Sequence, residues 1–530
     1  MLRTKLGIGF FSLLLMSGLG WSQPAPGTVE EAPSTQGPPS ATVKVSDFVV
    51  TGNTLLSADE IQAVLAPYKG QDLTFQGLRD LADKVTEAYN KKGYLTVRAF
   101  LPEQTVKDGL VKLLVTEAKR GTVTYQGNEA YSEEYMKWMM EPALEGDYLN
   151  KDDVERQILL LNESMGLKAS TILEAGEAPG TVDLTVNAEE TRLQRFTFDY
   201  NNYGSRFTGY DRPGALVELG NLTGNGDKLS FRAMRSLASQ GVTLLTANYS
   251  IPVSNEGTRL SFLYSNSAFA VGRELQVLDL RGDAQVYGGF VSHPFVRSAK
   301  ANVDFNGGLL FQDINNSVLG TPIGRDRLRE LVLGVSGDWS EDSARNFFNF
   351  RLTQDTGTLL GGLAPNDAFS TRQAGGGFTK FNMDLGRIQR VDDQAFVIVR
   401  GSHQFALAPL PTAEQFALGG PDSVRGYRQA SYLGDGGYNL SAEFRYSPLE
   451  EDLDLFQVAA FLDHGGAYLK RPQPGEIANV SATGAGVGVR FKPTDNMTIR
   501  VDLGYPIGDN AITKVQGKSL IPYIFFSNTF

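Results

Sequence analysis

Cysteine is absent from all 530 residues. That excludes disulfides, thiolate metal sites and a cysteine nucleophile, and it suits a chain that stays unfolded across an oxidising compartment. Histidine is scarce: His293, His403 and His464 stand apart, with no carboxylate at metal-ligand spacing, so neither a metal nor a cofactor is expected. No Walker-type phosphate loop occurs. Positive charge is also short, with 49 Lys and Arg against 60 Asp and Glu, a net charge of -11 and no basic stripe, which argues against a nucleic-acid partner. Long apolar runs are missing after the first residues, which excludes a bundle of membrane helices. A mean hydropathy of -0.20 leaves another way across a bilayer, a barrel whose strands are apolar on one face only.

What is present begins with Arg3 and Lys5, an apolar run from Leu6 to Leu19, and the small-x-small site Gly20-Trp21-Ser22. This predicts an export signal over 1–22, because the run is well short of the roughly 20 apolar residues of a spanning helix. Pro24, Pro26, Pro33, Pro38 and Pro39 make 23–42 a linker.

From Val43 the texture changes. Val45, Phe48 and Val50 predict a strand, Gly52-Asn53 a turn, and Ser57 to Glu60 a capping box that opens a helix. Leu78, Leu81, Val85 and Tyr89 predict a second helix from Phe75, stopped at Gly93. Strands over Tyr94–Leu101 and Leu110–Thr116 follow, joined through Asp108-Gly109 as a hairpin-type turn. The β-α-α-β-β order over 43–118 repeats over 119–190: Val123 and Tyr125, Gly127-Asn128, helices over Glu133–Met140 and Asn150–Met165, then two strands.

Over 191–530 the helical period gives way to alternation. Leu440, Ala442, Phe444 and Tyr446 interleave with Asn439, Ser441, Glu443 and Arg445; Ile499, Val501 and Leu503 interleave with Thr498, Arg500 and Asp502. About sixteen such strands, each near ten residues, fit this length. Short connectors (Ser254–Gly257, Arg297–Lys300, Glu341–Ala344, Lys492–Asp495) alternate with longer ones (Ala270–Asp283, Asn315–Arg325, Leu359–Ser370), which points to an outer-membrane barrel over a soluble sandwich. The last strand ends on Phe530, with Phe526 and Ile524 on the same face, as outer-membrane barrels commonly do.

One long loop, about 406–434, contains Val424-Arg425-Gly426-Tyr427, and the strand after next carries Phe461, Asp463 and Gly465. Alternation puts Asp463 inside the barrel, where a carboxylate needs a partner; an arginine on a loop folding inward would supply a planar, two-pronged one. His464 then faces the other way, so no catalytic pair forms and no enzyme is expected. Arg281-Gly282-Asp283 is incidental in a long outer loop. Gly484, Gly486 and Gly488, at strand period, fit close backbone approach or a barrel bend and not phosphate binding.

From Val43 to Phe530 the two tandem modules, the sixteen strands, the Val424–Tyr427 loop, the Phe461-Asp463-Gly465 strand and the terminal phenylalanine together resemble the two-partner secretion transporters. This is the TpsB family, FhaC-like haemolysin activators among the POTRA-bearing outer-membrane barrels. The resemblance implies a protein translocator. Its POTRA domains would recognise a secreted, unfolded exoprotein of the TpsA type, β-helical once folded, and the barrel would export it. Arg425 would engage Asp463 across the lumen. It further implies outer-membrane lipid around the barrel, insertion by the barrel assembly machinery, and a single chain without oligomeric partners. Family members often begin with a helix that plugs the barrel; 23–41 is too short and proline-rich for one, so the loop around Arg425 is expected to be the closure. The alternatives are a barrel assembly factor, the sister branch, and a passive porin or adhesin.

Overall fold

The computed structural model describes residues 42–530; the expected export signal, the linker and the expected lack of a plug helix fall outside the described residues. In the first module, helix α1 (Ala58–Leu65) starts at Ser57, whose hydroxyl accepts from the Glu60 N–H while Glu60 accepts from the Ser57 N–H. Helix α2 (Phe75–Lys91) buries Leu78, Leu81, Val85 and Tyr89 on the three-stranded sheet of Asp47–Thr51, Leu110–Glu117 and Val97–Phe100. A further ladder, Thr42–Lys44 with Asp72–Thr74, is too short for its alternation to announce. Asp108-Gly109 does turn, but it is not the hairpin that alternation suggests. Phe100 pairs with Leu114, so the connection spans 101–109 and the turn is only its last part.

The second module holds α3 (Glu133–Met140) and α4 (Lys151–Leu161) on Lys119–Gln126, Thr181–Glu190 and Leu167–Ala175. Helix α4 stops short of the expected Met165 because the Asn162 amide bonds both backbone groups of Ala169, tying the helix end to the next strand. The repeat extends to a device that alternation does not reveal. Glu117, at the end of the first sheet, accepts from the N–H groups of Thr54 and Leu55; Glu190, at the end of the second, accepts from those of Glu129, Ala130 and Tyr131. Each carboxylate closes the turn that leads into its module's first helix.

That device carries a pH dependence. Although partial desolvation opposes it, bonds from Leu55, Thr54 and the Tyr89 hydroxyl hold the Glu117 carboxyl below the usual carboxylate range. A lowered folded pKa means the stabilisation is complete above the free value of about 4.3 and is lost as pH falls through the folded one. Pepsin cleavage within 53–56 in the full-length protein should therefore start, in the wild type, only once the pH has fallen below the free carboxylate value. In Glu117→Gln it should proceed already at pH 5.

Sixteen antiparallel strands close into one barrel, from Gln194–Asn201 to Ile521–Thr529. They are less uniform than ten residues each: the sixth to eighth, Arg281–Arg297, Ala301–Val318 and Thr321–Glu341, run to 17, 18 and 21. The expected loop over Asn315–Arg325 is absent. Strands seven and eight continue through it and turn at Leu319-Gly320, where both residues have positive φ, the backbone of a tight hairpin. Arg281-Gly282-Asp283 likewise lies in a strand and not in a loop. Outward faces expose Phe231, Leu245, Phe262, Tyr264, Leu331, Leu440 and Leu462, as a lipid-facing wall requires. Phe530 lies on this outer side, its ring 6.1 Å from Phe196 across the seam between the first and last strands.

The second module is bonded to the rim of the barrel. Arg156 donates to the carbonyls of Glu256 and Pro294, Glu155 accepts from the Ala299 N–H, and Arg297 ion-pairs with both Glu163 and Asp304. The turns on this side are short. The long connections, 356–378 and 407–435, lie at the far end.

Candidate functional site

Between the eleventh strand (Ala395–Ala406) and the twelfth (Gly436–Tyr446), the chain turns into the lumen. Phe416–Leu418 pairs with Tyr432–Gly434, making the loop a short hairpin, and its tip is almost wholly buried. Arg425 sits there at 3% exposure. Its Nε and Nη2 donate to the two oxygens of Asp463 at 2.7 and 2.9 Å, and its backbone N–H donates to the same carboxylate at 3.0 Å. Nη1 donates to Glu443 at 2.6 Å, Nη2 reaches the Ser441 hydroxyl at 3.2 Å, and the guanidinium plane lies 3.4 Å over the Phe461 ring. Asp463 is fully buried on the thirteenth strand (Phe456–Tyr468) and His464 points the opposite way, between Tyr438 and Thr483.

The rest of the motif fixes the tip. The Gly426 N–H donates to the Tyr523 hydroxyl, which donates in turn to the Tyr427 carbonyl at 2.6 Å. The Tyr427 hydroxyl donates to the Thr483 carbonyl and accepts from Asn510. Val424 is fully buried beside Leu418, and a Cβ on Gly465 would lie 2.8 Å from Leu418 and 3.1 Å from Val424. The structure thus brings together Val424, Arg425, Gly426, Tyr427, Phe461, Asp463 and Gly465. Phe530 is not part of the group.

Several members were not singled out from the sequence. Glu443 also accepts from Arg445 and Arg490, and Asp502 accepts from Arg490 and Arg500, so four arginines and three carboxylates interlock around the tip. Their inward parity was legible; that strands twelve to fifteen set them side by side was not, since register between strands is written in no single segment. Gly484, read from the sequence as a place of close backbone approach or a barrel bend, proves to be the former. A Cβ there would stand 1.7 Å from the Arg425 carbonyl oxygen, so only glycine lets the loop lie against the wall. At the neck, buried Asp435 accepts from the N–H groups of Leu410 and Lys470 and from Gln415, and Lys380 pairs with Glu414.

A large inward loop is thus locked to the barrel wall by a buried ion network, with two tandem modules at the opposite rim. A family model described as haemolysin secretion/activation protein ShlB/FhaC/HecB matches residues 180–491. The chain belongs to this family. A model of the POTRA domain, ShlB-type, matches residues 43–118. Similar relatives include the heme/hemopexin transporter protein HuxB of Haemophilus influenzae strain 86-028NP, 25% identical over 85% of this chain and 81% of its own length. The outer membrane transporter CdiB of Escherichia coli O6:K15:H31 is 24% identical over 88% and 81%. Among solved structures, CdiB from Escherichia coli superposes with a TM-score of 0.77 at 22% identity, covering 95% of this chain and 93% of that one. BamA from Haemophilus ducreyi lacking POTRA domains 1–3 superposes at 0.55 and 14% identity, covering 92% and 100%, a likeness of fold. As a member of the ShlB/FhaC/HecB family, this transporter spans the outer membrane with its POTRA region in the periplasm, and it exports a secreted protein through the barrel.

Proposed function

We propose that this transporter exports one large exoprotein of the TpsA type as an unfolded chain, with the loop around Arg425 as the gate and with no chemistry of its own. The observation that carries the reading is the Arg425 tip, buried in the lumen and held by Asp463 and Glu443. Sixteen strands about 4.8 Å apart and tilted about 40° make a ring roughly 32 Å across, which side chains narrow to about 20 Å. That admits an extended chain or a hairpin and turns away a folded domain. Each POTRA-like sheet keeps open edges; the second ends on Leu167–Ala175, where Ile172 and Leu173 are exposed. An extended client segment adds there as a further strand. No nucleotide is needed, since folding of the client into a β-helix outside buries apolar surface and prevents its return. The barrel works as a single chain in outer-membrane lipid, after insertion by the barrel assembly machinery.

Deleting the gene should remove one exoprotein from the medium and leave the other barrel proteins at their normal level. A general fall in barrel proteins would indicate an assembly factor. An unchanged medium would indicate a passive porin or adhesin.

A further inference from the structure

The outward face of the barrel changes character above its apolar band. Alternation that sends Phe231, Leu245, Tyr264, Tyr287, Leu309 and Leu331 toward lipid, all exposed, also fixes which residues point outward farther along the same strands. At the end away from the POTRA side these are Arg235, Thr243, Ala268, Asp283, Asn315 and Arg325. They form one continuous row, because Arg235 pairs with Thr243, Thr243 with Ala268, Ala268 with Asp283, Asp283 with Asn315, and Asn315 with Arg325. Arg281 stands on the same outward face one step above Asp283. The small side chains of Thr243, Ala268 and Ala270 leave an open trough of about 630 Å³, walled by Arg235 on one side and by Arg281 and Arg325 on the other.

The charges in this trough are unequally satisfied. Asp283 accepts from the Asn315 amide, Asp279 takes only the Nε of Arg281 and, among the described residues, leaves its two Nη groups open, and Asp313 pairs with Arg329. Among the described residues no hydrogen bond or ion pair occupies the guanidinium groups of Arg235, Arg325 or the outward-facing Arg327. Free, planar, multi-donor cations immediately above a lipid-facing band match the phosphates of a lipid headgroup in both charge and height. A small soluble anion would use the arginines alone, whereas a lipid would use them together with the adjoining apolar band.

We propose that the trough binds the phosphorylated headgroup of an outer-leaflet glycolipid, with Arg235, Arg281 and Arg325 on its phosphates and its acyl chains on the band beneath. The proposal is independent of the gate; export could proceed as described whether or not it holds.

The test uses the full-length transporter purified in detergent and offered bisphosphorylated hexa-acyl lipid A or its enzymatically dephosphorylated form, with retained lipid counted by native mass spectrometry. Retention of the bisphosphorylated lipid should exceed that of the phosphate-free lipid about tenfold, the ratio for roughly 1.4 kcal/mol of preference. In the combined variant Arg235→Gln, Arg281→Gln, Arg325→Gln the two lipids should be retained equally, while the same three positions changed to Lys should keep part of the preference. Heat-modifiable gel mobility reports whether each variant is a folded barrel. Equal retention of both lipids by the wild type would overturn the proposal. So would displacement of bound lipid A by millimolar inorganic phosphate, which would mark a site for the free anion.

Discussion

Arg425→Ala is expected to abolish or severely reduce export while the barrel still reaches the membrane. Asp463 is fully buried and, among the described residues, draws its ion pair from Arg425 alone, with Ser441 its other side-chain bond. Removing the cation leaves a buried charge uncompensated, which costs about 3–5 kcal/mol and shifts the balance between seated and unseated loop by a factor of roughly 150 to 4000. The unseated loop does not leave. Its neck is still clasped by Asp435 and by the Lys380–Glu414 pair, so it stays in the lumen without a fixed place, in the path of the client. Arg425→Lys should fail nearly as badly, because the donors of an ammonium radiate from one nitrogen and cannot span both oxygens of Asp463 and Glu443 as three guanidinium nitrogens do. Asp463→Ala should match Arg425→Ala, and the double variant should cost less than the sum of the two. Secreted client, single-channel conductance and heat-modifiable mobility together check this. Export, conductance and mobility all at the wild-type level would remove the pair from the mechanism.

Gly484→Ala is expected to give the same phenotype without changing any charge. The added methyl would occupy a point 1.7 Å from the Arg425 carbonyl oxygen, and it meets backbone on the loop side, so the tip must lift. Lifting breaks the bond from the Arg425 N–H to Asp463 and pulls the guanidinium off Phe461. Gly289→Ala is the matched control, a strand glycine with nothing nearer than the Phe262 ring at 3.9 Å. Open-channel current should become larger and noisier in Gly484→Ala and stay at the wild-type level in Gly289→Ala.

The tandem modules and the barrel could be read from the sequence because each rests on a local pattern. Ser57 and Glu60 form their capping box within four residues, and the faces of strands such as Phe456–Tyr468 follow from a period of two. Where the pattern was ambiguous the reading failed. Asn315–Arg325 is rich in polar residues and looks like a loop, yet beyond the bilayer a strand has no apolar face to keep, so polarity there says nothing about pairing. The Arg425–Asp463 contact was reached through parity and resemblance. The wider ring of Glu443, Arg490, Arg500 and Asp502 needed the barrel itself, since it depends on how several strands are staggered.

A closed ladder of strands fixes a perimeter and leaves the outline free, like a hoop. Here the hoop carries a cross-member. Through Glu443, Asp463, Thr483 and Tyr523 the loop fastens to strands twelve, thirteen, fourteen and sixteen, stiffening about a quarter of the circumference from within. When that brace lifts, the arc becomes as pliant as the rest, and the outline can pass from round to oval without parting a single strand pair. The clearance a client meets is then set by the bending stiffness of the wall, and the count of strands sets only its upper bound.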